Sequence, residues 1–233
     1  MHPFFRASLL CLFFNVVAFA EAPSLTAPPL SGPLGTPIDL FNGKDFSGWV
    51  WFPRPPKPDT APTPVATLQD VFSIQDGVIR SKGKPTGYLR TEREFKNFIL
   101  TVEQRHVTAG NGGLLVGIPA QDKVWPGLEI QTRTESAGDL WNHNLLKLEA
   151  DPARVNNNGK HIKRAGPDSQ KPVGEWETME VIVDSGNLVF KVNGVIQNVA
   201  TSTESLAGRV GLQAEGAEME FRKVQITPIG SAR

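Results

Sequence analysis

The chain has 233 residues, long enough for one β-domain of sandwich or barrel size without requiring a second. Its 24 basic and 24 acidic side chains cancel, and no Lys/Arg cluster interleaves with aromatics, which argues against a nucleic-acid partner. Abundant glycine (22) and proline (19) beside only 8% aromatic residues suit short strands and many turns better than long helices.

The first twenty residues differ from the rest. Arg6 ends a short basic start, Ala7 to Val17 is almost wholly apolar, and Ala18-Phe19-Ala20 is an A-x-A site. This pattern is a secretory signal cleaved after Ala20, implying a secreted or periplasmic protein. Asn15 interrupts the apolar run, which is also shorter than the ~20 residues a membrane span needs. Nothing later resembles a span, so no membrane insertion is expected after cleavage. Cys11, the only cysteine, leaves with the signal, so disulfides and thiol chemistry are excluded from the mature chain. Residues 21–37, rich in Pro, Ser, Thr and Gly, are expected to form a flexible leader, and one domain is expected over 38–229.

Ile38 to Phe41 reads as a first strand, followed by the turn Asn42-Gly43-Lys44-Asp45. Pro53 to Pro64 carries six prolines and can be neither central strand nor helix, so an exposed loop is expected. Val71 to Ile74 and Val78 to Arg80 flank Gln75-Asp76-Gly77, a hairpin signal because Asp-Gly tolerates positive φ. Phe98 to Val107 alternates: Phe98, Leu100 and Val102 face one way, Thr101, Glu103 and Arg105 the other. Ala109 to Gly113 makes a tight connection into Leu114 to Ile118. In Leu128 to Gln131 and again in Val210 to Glu215, apolar residues alternate with Glu129, Gln131, Gln213 and Glu215. Residues 138–170 are the least regular part, a setting where binding groups tend to sit. Met179 to Asp184 and Leu188 to Asn193 form a further hairpin, with Asn193-Gly194 as the next turn. Many short antiparallel strands without a convincing helix predict an all-β, two-sheet antiparallel β-sandwich of jelly-roll type. If the alternating strands share one curved sheet, their polar sides line a groove.

Several segments resemble, in order, the bacterial 3-keto-disaccharide hydrolase domain family. They are Leu40 to Trp49 (LFNGKDFSGW), Thr91 to Phe95, Glu103 with Arg105 ahead of Gly110-Asn111-Gly112-Gly113, Gly127 to Gln131, Gly174 to Glu177, Val192-Asn193-Gly194, and Gly211-Leu212-Gln213 before Phe221-Arg222. The resemblance implies a concanavalin A-like jelly roll with a sugar-binding concave face, acting on glycosides already oxidised at C3. The chain departs from the family twice: Glu215 holds the place of a family histidine, and no arginine lies near Val116 to Ile118.

A ketone at C3 acidifies the hydrogen at C2, so a base can remove it and expel the C1 substituent, after which water adds back. Glu129 is the first candidate for acid or base, with Arg105 as oxyanion partner and Glu103 orienting Arg105 or acting as second carboxylate. His143 is a further base candidate, although a histidine among Trp141, Asn142 and Asn144 is commonly bonded to its neighbours. Substrate contacts are expected from Gln131, Asn111, Gln213, Glu215, Glu92 and Trp141. Trp49 and Trp176 read as core, while Trp125 and Trp141 are free to stack on sugar. His106 and His161 have no partner close in sequence. No metal motif or cofactor signature is present, and calcium on loop carboxylates is the one structural ion left open. The alternatives to a glycoside-cleaving enzyme are a non-catalytic carbohydrate-binding module on the same fold and a structural role in an envelope assembly.

Overall fold

The computed structural model describes residues 25–55, 65–119, 127–143 and 146–230. The expected signal at 1–20, most of the proline-rich loop, and Trp125 lie outside the described residues. Strands β1 (Ile38–Asp39) and β2 (Trp49–Pro53) are followed by one helical turn, α1 (Leu68–Val71), and by β3 (Phe72–Gln75), β4 (Val78–Ser81), β5 (Gly87–Thr91) and β6 (Phe98–His106). Next come β7 (Gly113–Ile118), β8 (Leu128–Gln131), β9 (Leu140–Asn142), β10 (Leu148–Glu149), β11 (Val155–Asn156) and β12 (His161–Ile162). The chain ends with β13 (Glu177–Asp184), β14 (Asn187–Val192), β15 (Val195–Ser202), β16 (Arg209–Ala214) and β17 (Met219–Pro228).

These strands form the two antiparallel sheets of a β-sandwich. The first runs β10-β15-β14-β13-β6-β17-β4-β3, with β1 on β17, and the second runs β11-β12-β9-β8-β7-β16-β5-β2. Three of the hairpins behave as their sequences require: Asp76-Gly77, Ser185-Gly186 and Asn193-Gly194 all have positive φ at both positions, the type I′ geometry that matches strand twist. Val71 ends α1 instead of opening a strand, because Asp70 Oδ2 accepts from both the N–H and the hydroxyl of Thr67 at 2.7 Å and closes the turn. The irregular stretch 138–170 contributes β9, β11 and β12, which extend the second sheet at one edge.

The core lies between the sheets. Phe98, Leu100, Val102, Val181, Phe190, Phe221 and Ile226 from the first meet Leu89, Leu114, Val116, Leu128, Ile130 and Leu212 from the second, all buried. Burial of each such side chain contributes roughly 1.5–3 kcal/mol. Part of the leader also lies against the sandwich: Ser31 bonds Asp184 through its backbone N–H and its hydroxyl, and Leu34 bridges to Ile229.

The alternation along β6 is as expected, with every second residue from Phe98 to His106 buried. Its polar side, however, faces outward from the first sheet, away from the second. There Arg105 Nε and Nη2 each lie 2.6 Å from Glu220 Oε2, Arg80 Nε lies 3.0 Å from Glu220 Oε1, and Arg222 Nε donates to Glu103 at 2.7 Å. Trp176, read as core, is half-buried in this cluster, with the guanidinium carbons of Arg105 and Arg222 at 4.8 and 4.3 Å from its ring centre. Glu103 and Arg105 are therefore members of a structural ion-pair network and not of a groove with Glu129.

At the inward end of β6, His106 Nδ1 lies 3.8 Å from Glu177 Oε1, beside Gln104. Burial holds the His106 imidazole down at about 4 and pushes the Glu177 carboxyl up. The stability linked to His106 is complete above the ordinary imidazole value near 6.5 and is lost as pH falls toward about 4, whereas Glu177 opposes this by favouring the protonated fold. His106→Gln is expected to recover about 2 kcal/mol of the stability that the wild type loses between pH 7 and pH 5, measured as urea midpoints at both pH values; an equal loss in both proteins would refute the assignment.

Candidate functional site

Strand order in the second sheet decides which polar residues meet. Leu128 and Ile130 of β8 pack inward, so Glu129 and Gln131 point to the opposite side, and β16 and β9 present Gln213 and Trp141 on that side through the register Glu129↔Leu115↔Gly211 and Glu129↔Trp141. A hollow of about 360 Å³ opens there, lined by Arg54, Asn111, Glu129, Gln131, Trp141, His143 and Glu215.

Glu129 is only 3% exposed, and His143 Nε2 lies 2.8 Å from its Oε2. His143 follows the last residue of β9. Asn142, itself buried, donates to Leu146 O at 2.8 Å and accepts from Leu146 N at 2.9 Å, which anchors the end of β9 beside His143. On the far side a chain of side-chain bonds runs across the floor: Gln131 Nε2 donates to Asn111 Oδ1 at 3.2 Å, and Asn111 Nδ2 donates to Glu215 Oε2 at 3.0 Å. Arg54 Nη1 reaches Glu215 Oε1 at 3.3 Å. Burial, followed by the negative charge of Glu129, raises the Glu215 carboxyl, while Arg54, Asn111 and His143 pull the other way. Trp141 forms a wall, its ring stacked on His161 at 4.3 Å and 17°, and His161 Nε2 lies 2.7 Å from Asp139 Oδ2.

Of the residues singled out from sequence, Glu129, His143, Asn111, Gln131, Glu215 and Trp141 converge on this hollow. Glu103 and Arg105 lie on the other sheet. Glu92 is exposed just past β5, at the end remote from Glu215, where its backbone N–H donates to Gly48 O at 2.9 Å and its carbonyl accepts from Arg209 Nε at 3.2 Å. Gln213 is fully buried and does not line the hollow. His143 finds its partner in Glu129, and His161 has one in Asp139, 22 residues away. The residue that sequence reasoning missed is Arg54, the guanidinium that stands where Arg105 was expected. Its one signal is its place between Pro53 and Pro55 at the end of β2, since flanking prolines stiffen the backbone that aims it. Among the described residues no three His, Cys, Asp or Glu side chains are gathered to hold a metal ion.

A base backed by a buried carboxylate, a guanidinium, and a second carboxyl with raised proton affinity can together move protons at a neutral substrate. Because the folded chain holds the Glu215 proton to higher pH than the unfolded chain does, the stability this confers is present below the ordinary glutamate range and lost as pH rises through the folded value. The stability of wild type relative to Glu215→Gln is therefore expected to fall as pH is raised from about 4 to about 7. Urea unfolding across that range checks this, and a constant difference would contradict it.

The family described as the 3-keto-alpha-glucoside-1,2-lyase-like domain matches residues 36–227. A 3-keto-disaccharide hydrolase of Bacteroides thetaiotaomicron is 27% identical over 200 residues, covering 77% of this chain and 65% of that relative's length. Among solved structures, a Parabacteroides distasonis protein provisionally named a glycosyl hydrolase superposes with TM-score 0.59 at 19% identity, over 83% of this chain and 94% of that one. SCLam, a non-specific endo-β-1,3(4)-glucanase from family GH16, gives 0.58 at 11% identity, over 88% and 94%. Both structures bear on the jelly-roll fold alone. The match over residues 36–227, most of the chain, shows that this chain belongs to the 3-keto-alpha-glucoside-1,2-lyase-like domain family.

Proposed function

We propose that this chain is an enzyme that cleaves glycosides or disaccharides already oxidised at C3, by proton abstraction from C2, elimination of the C1 substituent and hydration. The observation that carries the reading is the buried Glu129 carboxylate 2.8 Å from His143 in a hollow that also holds Arg54 and Glu215. The family and the name of the Bacteroides thetaiotaomicron relative support the substrate class. The signal pattern of residues 1–20 supports export, so the reaction would take place in the periplasm or outside the cell.

In this reading His143 accepts the C2 proton, and Glu129 stabilises the imidazolium and holds its ring in place. The C2–H electron pair moves into an enolate whose oxygen, formerly the C3 ketone, faces the Arg54 guanidinium. Collapse of the enolate breaks the C1–O bond and restores the ketone, while Glu215, whose proton affinity is raised, donates a proton to the departing oxygen. Water then adds across C1=C2: its oxygen bonds to C1 as Glu215 takes one proton, and the imidazolium returns the other to C2. The sum is hydrolysis to a 3-keto sugar and the free alcohol. Asn111 and Gln131 orient the ring hydroxyls from the floor, and Trp141 offers an apolar wall to a sugar face.

Incubation with a 3-keto-disaccharide tests the reading. Glu129→Gln and His143→Ala are expected to lower kcat/KM by roughly 10²–10⁴-fold, while Arg105→Ala, on the opposite sheet, leaves it essentially unchanged. Sugar binding without turnover in the wild type would instead identify a carbohydrate-binding module, and loss of turnover in Arg105→Ala with retained fold would move the site elsewhere.

A further inference from the structure

Gln213 is a polar side chain that the hollow leaves unexplained. It sits on the cavity-facing side of β16 and is fully buried, yet neither its amide oxygen nor its amide nitrogen has a hydrogen-bond partner among the described residues. An unmade hydrogen bond on a buried amide leaves its desolvation uncompensated, and a methionine of similar length would avoid that cost. Such exceptions in a packed sheet call for a role that the resting arrangement does not display.

Its surroundings indicate one. On β7, one residue beyond the Leu212↔Leu114 pair, Gly113 stands opposite Gln213, and on its other side it pairs with Gln131 of β8. A Cβ at Gly113 would lie 2.5 Å from Gln213 Oε1 and 3.1 Å from Glu129 Cγ. The absent side chain therefore leaves room across β7, with the Gln213 amide oxygen on its β16 side and the stem of Glu129 on its β8 side, and a half-turn of the amide brings the N–H to the same place. A bulkier residue at 113 would separate the two.

We propose that Gln213 is a positioning residue for Glu129, its amide N–H held as a second donor to a carboxylate whose present partner is His143. The inference rests on the reading of Glu129 and His143 as the reacting pair. In that reaction the imidazole gains and then gives up a proton, so its bond to Glu129 changes strength twice per turnover. A carboxylate that is only 3% exposed has no solvent to turn to when that bond weakens. A donor waiting across Gly113 keeps Glu129 in one rotamer through both proton transfers, and its own amide is satisfied at the same moment. Glutamine suits this use because it donates without adding charge beside Glu129 and Glu215.

The test combines kinetics with a stability cycle that needs no substrate. Gln213→Met keeps length and removes the donor; Gln213→Asn keeps the amide but is one methylene too short to cross Gly113. Both are expected to lower kcat on a 3-keto-disaccharide by roughly 10- to 100-fold, as when a reacting group loses its alignment, with KM little changed. The shift in urea midpoint caused by Gln213→Met is expected to differ between the wild-type and Glu129→Gln backgrounds, because the two side chains are coupled. Equal shifts in the two backgrounds, or a kcat in both folded variants within about twofold of wild type, overturn the proposal. If the wild-type chain turns over no 3-keto substrate, the activity reading falls on its own account and the stability cycle alone decides whether Gln213 addresses Glu129.

Discussion

A carboxylate placed on a sheet and shielded from water must be met by a donor, and the site depends on how Glu129 is met. Removing a charge from water without a partner costs several kcal/mol or shifts the group to its neutral form. His143 meets this demand at 2.8 Å, and it can do so because Glu129 and Trp141 are cross-strand neighbours and the chain leaves β9 two residues after Trp141. The Asn142 side chain bonds both backbone groups of Leu146, so the strand end next to His143 is held by a buried amide. Carboxylate, imidazole and wall are thus consequences of one strand pairing.

The sandwich has two polar faces, and they are put to different uses. On the first sheet Arg80 and Arg105 meet Glu220, Arg222 meets Glu103, and the guanidiniums of Arg105 and Arg222 pack on Trp176. On the second sheet Glu129 and Glu215 both face a hollow, each with its own partners, His143 for the first and Asn111 and Arg54 for the second. Paired charge stabilises modestly. Charge held apart around a cavity is available for chemistry, because a bound molecule can complete the missing contacts.

Much of this was legible in the residues. Period-2 alternation located β6, β8, β13 and β16, and the Asp-Gly and Asn-Gly pairs located the β3–β4 and β14–β15 turns, because strand pleat and left-handed turn conformations are local properties. Glu129, Gln131 and Glu215 stood out for the same reason, as polar residues on otherwise apolar strands. The pairing of Glu103 with Arg105 misled because an ion pair on an outward face and a catalytic pair in a groove have the same signature along one strand. Arg54 was hidden by its proline-rich surroundings, and the pairing of His143 with Glu129 by the 14 residues that separate them along the chain.

The amino-acid sequence by itself determined which residues face the core, where the chain turns and which side chains are polar in each strand, since these follow from interactions between residues a few positions apart. It carried no information on which sheet each strand joins, and that single fact separated Glu103 and Arg105 from the site and brought Arg54, Asn111 and Glu215 into it. Asn111 meets Glu215 across 104 residues and Arg54 meets it across 161. Contacts of that span are set by strand order in the second sheet, and strand order is decided by how two hydrophobic faces close on each other, which no local pattern encodes.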